Sequence, residues 1–193
     1  MNVFFYTFRS LAARLAFGIG AFLAAACSSP DHVPDVRGPD LTALLDAEVQ
    51  GLYRDSVTVA RTTMINEQRS QHVLRWVDWK KELAVFYQSD ISSPSVAARY
   101  RCDTISNNDT MIVTFAADDA SLRTRLIELH YLNGTLQKIH IQNASSGWLA
   151  TQEEELNYLP GAGYSMRSVT RNRFFGEQVL AVAGAFQYSD HRR

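Results

Sequence analysis

His130 and His140 flank the dipeptide Asn133-Gly134, and two imidazoles on the paired strands of a hairpin are groups that can hold a metal ion. Asn-Gly is the strongest two-residue hairpin signal, because its turn needs positive φ at both positions. Such a turn pairs Leu132 with Thr135 and puts His130 opposite Gln137 and His140 opposite Ile127. The two rings then point to opposite sides of the sheet. With no zinc-type Cys or His spacing either, no metal is expected. Arg167, Arg171 and Arg173 alternate onto one strand face and suggest an anion site. If Tyr158 pairs with Tyr164 across the preceding loop, however, Glu155 sits opposite Arg167, which predicts a charge-paired solvent face. A search for an activated nucleophile finds no Gly-x-Ser-x-Gly elbow, Ser-x-x-Lys, His-Glu-x-x-His or phosphate-binding glycine loop. Cys102 lacks a cysteine-protease setting and is expected to be a buried, inert thiol. No catalytic residue and no cofactor emerge, so the expected protein is not an enzyme.

The other cysteine, Cys27, has a different context. Arg9 and Arg14 precede an uncharged run, 15–27, that ends in Ala24-Ala25-Ala26-Cys27 and then Ser28-Ser29-Pro30. A basic start, a short apolar stretch and small residues at a cleavage site make a secretory signal. A membrane-spanning helix needs roughly 20 apolar residues, more than this run supplies. The segment Leu23-Ala24-Ala25-Ala26-Cys27 resembles the lipobox of bacterial lipoproteins, with Ala24 where a leucine usually stands. That resemblance implies a signal peptide over 1–26 and a diacylglycerol thioether on Cys27, the lipid attachment site. Ser28 in second place is similar to lipoproteins forwarded to the outer membrane. No acidic cluster follows, which favours the periplasmic face over surface exposure.

Cleavage leaves 17 basic and 20 acidic residues, a net charge of −3, and removes any basic excess that would favour nucleic acid. Cys102 then has no intramolecular partner, so a hydrophobic core must hold the exported domain. The remaining 167 residues suffice for one such core.

Four segments follow from the chain's patterning. Residues 27–39, rich in Pro, Ser and Asp, read as a flexible tether. Residues 40–188 read as a single α+β domain, and 189–193 as a tail. Within the domain, Leu41, Leu44, Leu45, Val49, Leu52 and Tyr53 recur at helical spacing behind Asp40 as N-cap. Residues 57–64 alternate with period two, 66–70 form a turn and 71–75 a return strand. Helical spacing resumes over 76–89, with Trp76, Trp79, Leu83, Phe86, Tyr87 and then Ile91 on a stripe expected to be core. Seven strands follow at 99–105, 110–116, 122–132, 135–144, 149–158, 164–175 and 179–187, separated by Asn, Asp, Gly and Pro turn signals. The predicted fold is therefore one large, curved, half-barrel-like antiparallel sheet of about nine strands covered by two helices.

This layout is similar to a family of Bacteroidota outer-membrane lipoproteins. The residues that carry the likeness are Trp79, Glu82, Leu83, Phe86, Ser89, Asp90 and Ile91, then Leu156, Tyr158, Leu159 and Pro160, then Gly184 and Phe186. Most are aromatic or aliphatic, so they imply a shared core and address, and no activity carries over. Asp55-Ser56-Val57, Asp103-Thr104-Ile105 and Asp109-Thr110-Met111 also resemble the Asp-Ser/Thr-aliphatic O-glycosylation sequon of those bacteria. Two roles fit: a binding or carrier module for an apolar ligand under the helices, or an accessory subunit of an outer-membrane protein complex. The membrane, through Cys27, is the expected partner in both. Which residues bind a ligand is not readable at this level.

Overall fold

The computed structural model describes residues 38–188. The expected signal peptide, Cys27, most of the tether and the tail lie outside the described residues.

Helix α1 (Leu41–Arg54) begins where the Asp40 carboxylate accepts from the Ala43 N–H at 2.8 Å. That cap satisfies one of the backbone donors a helix start leaves free. Leu41, Leu45, Val49 and Leu52 form its buried stripe. Strands β1 (Thr58–Ile65) and β2 (Gln68–Leu74) follow, joined through Asn66-Glu67. The turn is thus shorter than the polar stretch 66–70 suggested, and the return strand starts at Gln68. Asn66 makes this possible by adopting φ 54° while its side chain accepts from the Val179 N–H at 3.0 Å. Gln68, Arg69 and Ser70 are exposed on an edge strand, where polar side chains cost nothing.

The single helix expected over 76–89 is instead two separate turns, α2 (Trp79–Glu82) and α3 (Ala84–Tyr87), with a third, α4 (Pro94–Ala97), beyond. The Asp78 carboxylate caps α2 through the Lys81 N–H at 3.3 Å, so the helical run starts after Trp76. Trp76 is 97% exposed and leaves the stripe, while Trp79, Leu83, Phe86 and Ile91 are buried.

The rest is β3 (Tyr100–Asn107), β4 (Thr110–Ala117), β5 (Thr124–Leu132), β6 (Thr135–Ser146), β7 (Ala150–Leu159), β8 (Gly163–Asn172) and β9 (Gly176–Gln187). The nine strands make one open, curved antiparallel sheet in the order β2-β1-β9-β8-β7-β6-β5-β4-β3. Successive hairpins build β3 to β9, and the N-terminal hairpin then adds β1 against β9. β2 and β3 are left as edges, so the sheet does not close. None of the described helices is long and apolar enough to cross a membrane.

Period-two alternation sends one set of side chains from each strand towards the helices. Ile127, Leu129, Ile139, Ile141, Leu156, Tyr158 and Tyr164 meet α1, Trp79, Leu83 and Phe86 in one core. Trp79 stands edge-on to Phe186 with centroids 5.3 Å apart, and Phe86 does the same to Tyr158 at 6.1 Å. The Tyr164 ring lies directly over Gly184, its cross-strand partner, where any Cβ would collide with it. The core's polar atoms are tied off. Tyr158 donates to Glu48 at 3.1 Å, and Tyr164 donates to Glu82, which also accepts from Arg61 at 3.3 Å. Burial, then the neighbouring carboxylates, push both tyrosine pKa values far above the usual phenol range.

Candidate functional site

The opposite set of side chains forms the helix-free face. Across it run two rows fixed by strand register. One is Arg69, Met64, Ala181, Arg167 and Glu155; the other is Thr62, Ala183, Ser165, Asn157 and His140. Ala181, Ala183 and Ser165 are too short to fill the space above their backbone. Taller Met64, Arg69, Arg167 and Glu155 stand around them. The result is a groove of about 460 Å³ with an apolar floor and a mixed-charge rim, within the roughly 300–1,000 Å³ of small-molecule sites.

The second row extends into the histidine pair. His140 is buried, its Nδ1 3.0 Å from Asn157 Oδ1 and its Nε2 3.3 Å from Gln142 Nε2. His130 Nε2 lies 3.3 Å from Glu128 Oε2, and Glu128 is the cross-strand partner of His140. Both histidines therefore sit on the helix-free face, which corrects the expectation that they point to opposite sides. The Asn133-Gly134 turn does pair Leu132 with Thr135, with φ 50° and 74°. The register then shifts between His130 and Tyr131, so His130 faces Lys138 and Gln137 is the extra residue of a bulge. One added residue reverses the facing of everything after it. Among the described residues no three His, Cys, Asp or Glu side chains converge on a metal position.

The arginine strand keeps the predicted register, with Tyr158 opposite Tyr164 and Glu155 opposite Arg167. Arg171 bridges Glu153 at 3.1 Å and Glu177 at 3.0 Å, whereas Arg173 lies past the end of β8. Arg167 alone of the three belongs to the groove. Cys102 is exposed, not buried as expected: it lies on edge strand β3, of which only Tyr100 is buried. Local desolvation and then Asp103 raise its thiol pKa, which lowers its thiolate fraction. Ser56, Thr104 and Thr110 of the three sequons are all exposed.

Sequence reading missed the groove. Its trace is the alternation Ala181, Ala183, Ala185 in the last strand, which marks a face of small side chains but does not say that the face is hollow. Of the aliphatic and aromatic residues quoted for the resemblance, Trp79, Leu83, Phe86, Ile91, Leu156, Tyr158 and Phe186 pack in the core while Leu159 is exposed, and their polar companions do structural jobs. Glu82 receives Tyr164, Ser89 receives the Asn143 amide at 2.9 Å, and Asp90 receives the Leu41 N–H at 3.3 Å. A scan against protein-family models found no match, and a search of curated proteins found none either.

Proposed function

We propose that this chain is a lipoprotein of the outer membrane, held by lipid on Cys27 and facing the periplasm. Its domain is a non-catalytic binding or carrier module for an apolar ligand. The observation that carries the reading is the groove on the helix-free face. Its floor of Ala181 and Ala183 offers apolar contact without a competing side chain, and Arg69 and Arg167 offer cations to a polar end of the same molecule. The space under the helices, where the sequence put the ligand, is filled, so the proposed site moves to the face away from them. Between helices and sheet, side chains such as Trp79, Tyr158 and Ile141 are all but fully buried and occupy the space themselves.

Native mass spectrometry of the purified mature chain tests this. The expected result is a co-purifying lipid-sized adduct, or uptake of one from added membranes; a chain that stays bare in both settings sinks the carrier reading. The anchor has its own test. Cys27→Ala should abolish acylation and release the protein from the membrane fraction with its fold unchanged by circular dichroism. Retention of that variant in the membrane would point to an uncleaved apolar segment instead.

A second reading, an accessory subunit of an outer-membrane complex, is supported by Trp76. It stands almost fully exposed beside a cleft of about 710 Å³ lined by Leu52, Tyr53, Val57 and Val77. Tryptophan is among the side chains that most often anchor protein interfaces. If this reading holds, Trp76→Ala should weaken co-purification with a membrane protein while leaving any ligand adduct in place.

A further inference from the structure

The β6–β7 and β8–β9 hairpins end side by side and carry the most exposed cluster of aromatic side chains among the described residues. The Gly147 N–H donates to Ala150 O at 2.9 Å and closes a loop on Trp148 and Leu149. The Arg173 N–H donates to Leu149 O at 2.9 Å and ties the two tips together. In the second tip, Asn172 Oδ1 accepts from the Phe174 N–H at 2.9 Å and the Phe175 N–H at 3.2 Å. The first loop is held in shape by a backbone bond and the second by the Asn172 side chain, yet Trp148, Phe174 and Phe175 project outwards, 77%, 69% and 90% exposed. Three such rings present on the order of 400 Å² of apolar surface, comparable to the largest patch on an ordinary soluble monomer.

The described chain also enters the domain at this end. Gly38 packs against Ile91, Leu41 N–H bonds Asp90, and neighbouring Ser89 bonds Asn143, near the β6 terminus that leads into Trp148. Helix α1 then runs away from the tips, and Thr58 pairs with Gln187 at the far end of the sheet.

We infer that this end faces the bilayer, with Trp148, Phe174 and Phe175 inserted in its interfacial layer. The inference rests on the reading of Cys27 as the lipidated residue. Ten residues, 28–37, lie between Cys27 and Gly38, and the eleven Cα-to-Cα steps span at most about 40 Å when extended. The aromatic end lies within that tether's reach, and the other end of the sheet lies a further strand length away, roughly 35 Å. A bilayer suits the tips better than a protein partner does. The rings protrude from two tied tips, each more than two-thirds exposed, and the bonded N–H groups of Gly147, Arg173, Phe174 and Phe175 enter an apolar layer without being stranded. Tryptophan is also a side chain enriched at the membrane–water boundary. Glu153 and Glu177, both bridged by Arg171, balance the charges of Arg171 and the exposed Arg173 beside Phe174, so insertion does not call on anionic lipid.

The test uses the full mature chain carrying Trp76→Phe, which leaves buried Trp79 and exposed Trp148 as its emitters. It is reconstituted in phosphatidylcholine vesicles with or without brominated acyl chains. The expected result is a blue-shifted Trp148 emission that the brominated lipid quenches and high salt does not restore. Phe174→Ser with Phe175→Ser should reduce that quenching without changing the circular dichroism. Emission that is unshifted and unquenched in vesicles carrying the protein overturns the inference and leaves the tips to a protein partner. Flotation and intact mass read the anchor separately. An unacylated chain whose Trp148 is still quenched supports the tip and overturns the anchor; an acylated chain whose Trp148 is not quenched does the reverse.

Discussion

The two faces of the sheet are drawn from the same strands and differ in the size of what they carry. On β8, Tyr164 and Met166 point to the helices while Ser165 and Arg167 point away. On β9 the division is Phe186 and Val182 against Ala181 and Ala183. One face is filled with bulky side chains to nearly zero exposure. The other keeps small residues in its middle and charges around them. Apolar burial stabilises in proportion to area removed from water, so the helix-covered face holds the fold. The open face adds little to stability and leaves room for a ligand. Substitutions on the two faces should therefore separate stability from binding.

The largest expected effect is on the covered face. Trp79 is 1% exposed and is the bulkiest of the fully buried side chains. Trp79→Ala should lower unfolding stability by about 3–5 kcal/mol in a urea titration, from lost burial and the cavity left beside Phe186. A loss below about 1 kcal/mol would mean that the covered face is loosely packed, and the contrast between the faces would fail.

Next come the buried tyrosines, through their dependence on pH. Burial, then Glu48 for Tyr158 and Glu82 for Tyr164, hold both phenols protonated well above the ordinary pKa of 10.0. Above pH 10 the unfolded chain releases protons that the folded chain keeps. Their contribution is therefore complete below pH 10 and declines as pH rises further. Stability measured from pH 8 to 11 should turn downward near pH 10. The Tyr158→Phe, Tyr164→Phe double variant should show a shallower decline, and each single change should cost about 1–2 kcal/mol at neutral pH through the hydrogen bond it removes. An unchanged alkaline slope would show that the phenols reach solvent, against a sealed face.

What could be read from the sequence divides along the same line. The covered face was legible because its residues are large and periodic: Leu41, Leu45, Val49 and Leu52 announced α1, and Tyr158 opposite Tyr164 set the register of β7 on β8. The helix expected over 76–89 failed for a local reason. Trp76 matches the stripe in type, but Asp78 caps the chain two residues later and turns the indole out to solvent. The histidine pair failed at Gln137, since a single-residue bulge leaves no mark in composition and reverses which face His140 takes. Cys102 was misplaced because burial depends on which strand ends up at the edge, and only the assembled sheet decides that. The groove went unseen because it consists of missing volume. Alanine and serine at alternating positions look the same over a depression as under a covering element.

The smallest expected effect on stability is also the sharpest test of the open face. Ala183 lies between Thr62 and Ser165 in register, at the floor of the groove. Ala183→Trp puts a ring into space that no other side chain occupies, so neither backbone nor core has to move. The unfolding midpoint in urea should correspond to a change within about 0.5 kcal/mol, as for surface substitutions. The same ring should occupy much of the groove, and the adduct seen by native mass spectrometry should disappear. Trp79→Ala should give the opposite pattern, a large loss of stability with the adduct retained under conditions where the variant stays folded. If Ala183→Trp instead unfolded the chain, the open face would be packed in solution. If it were silent in both measurements, a ligand, where there is one, would bind elsewhere. Only stability kept with binding lost supports a division of labour between two faces of one sheet.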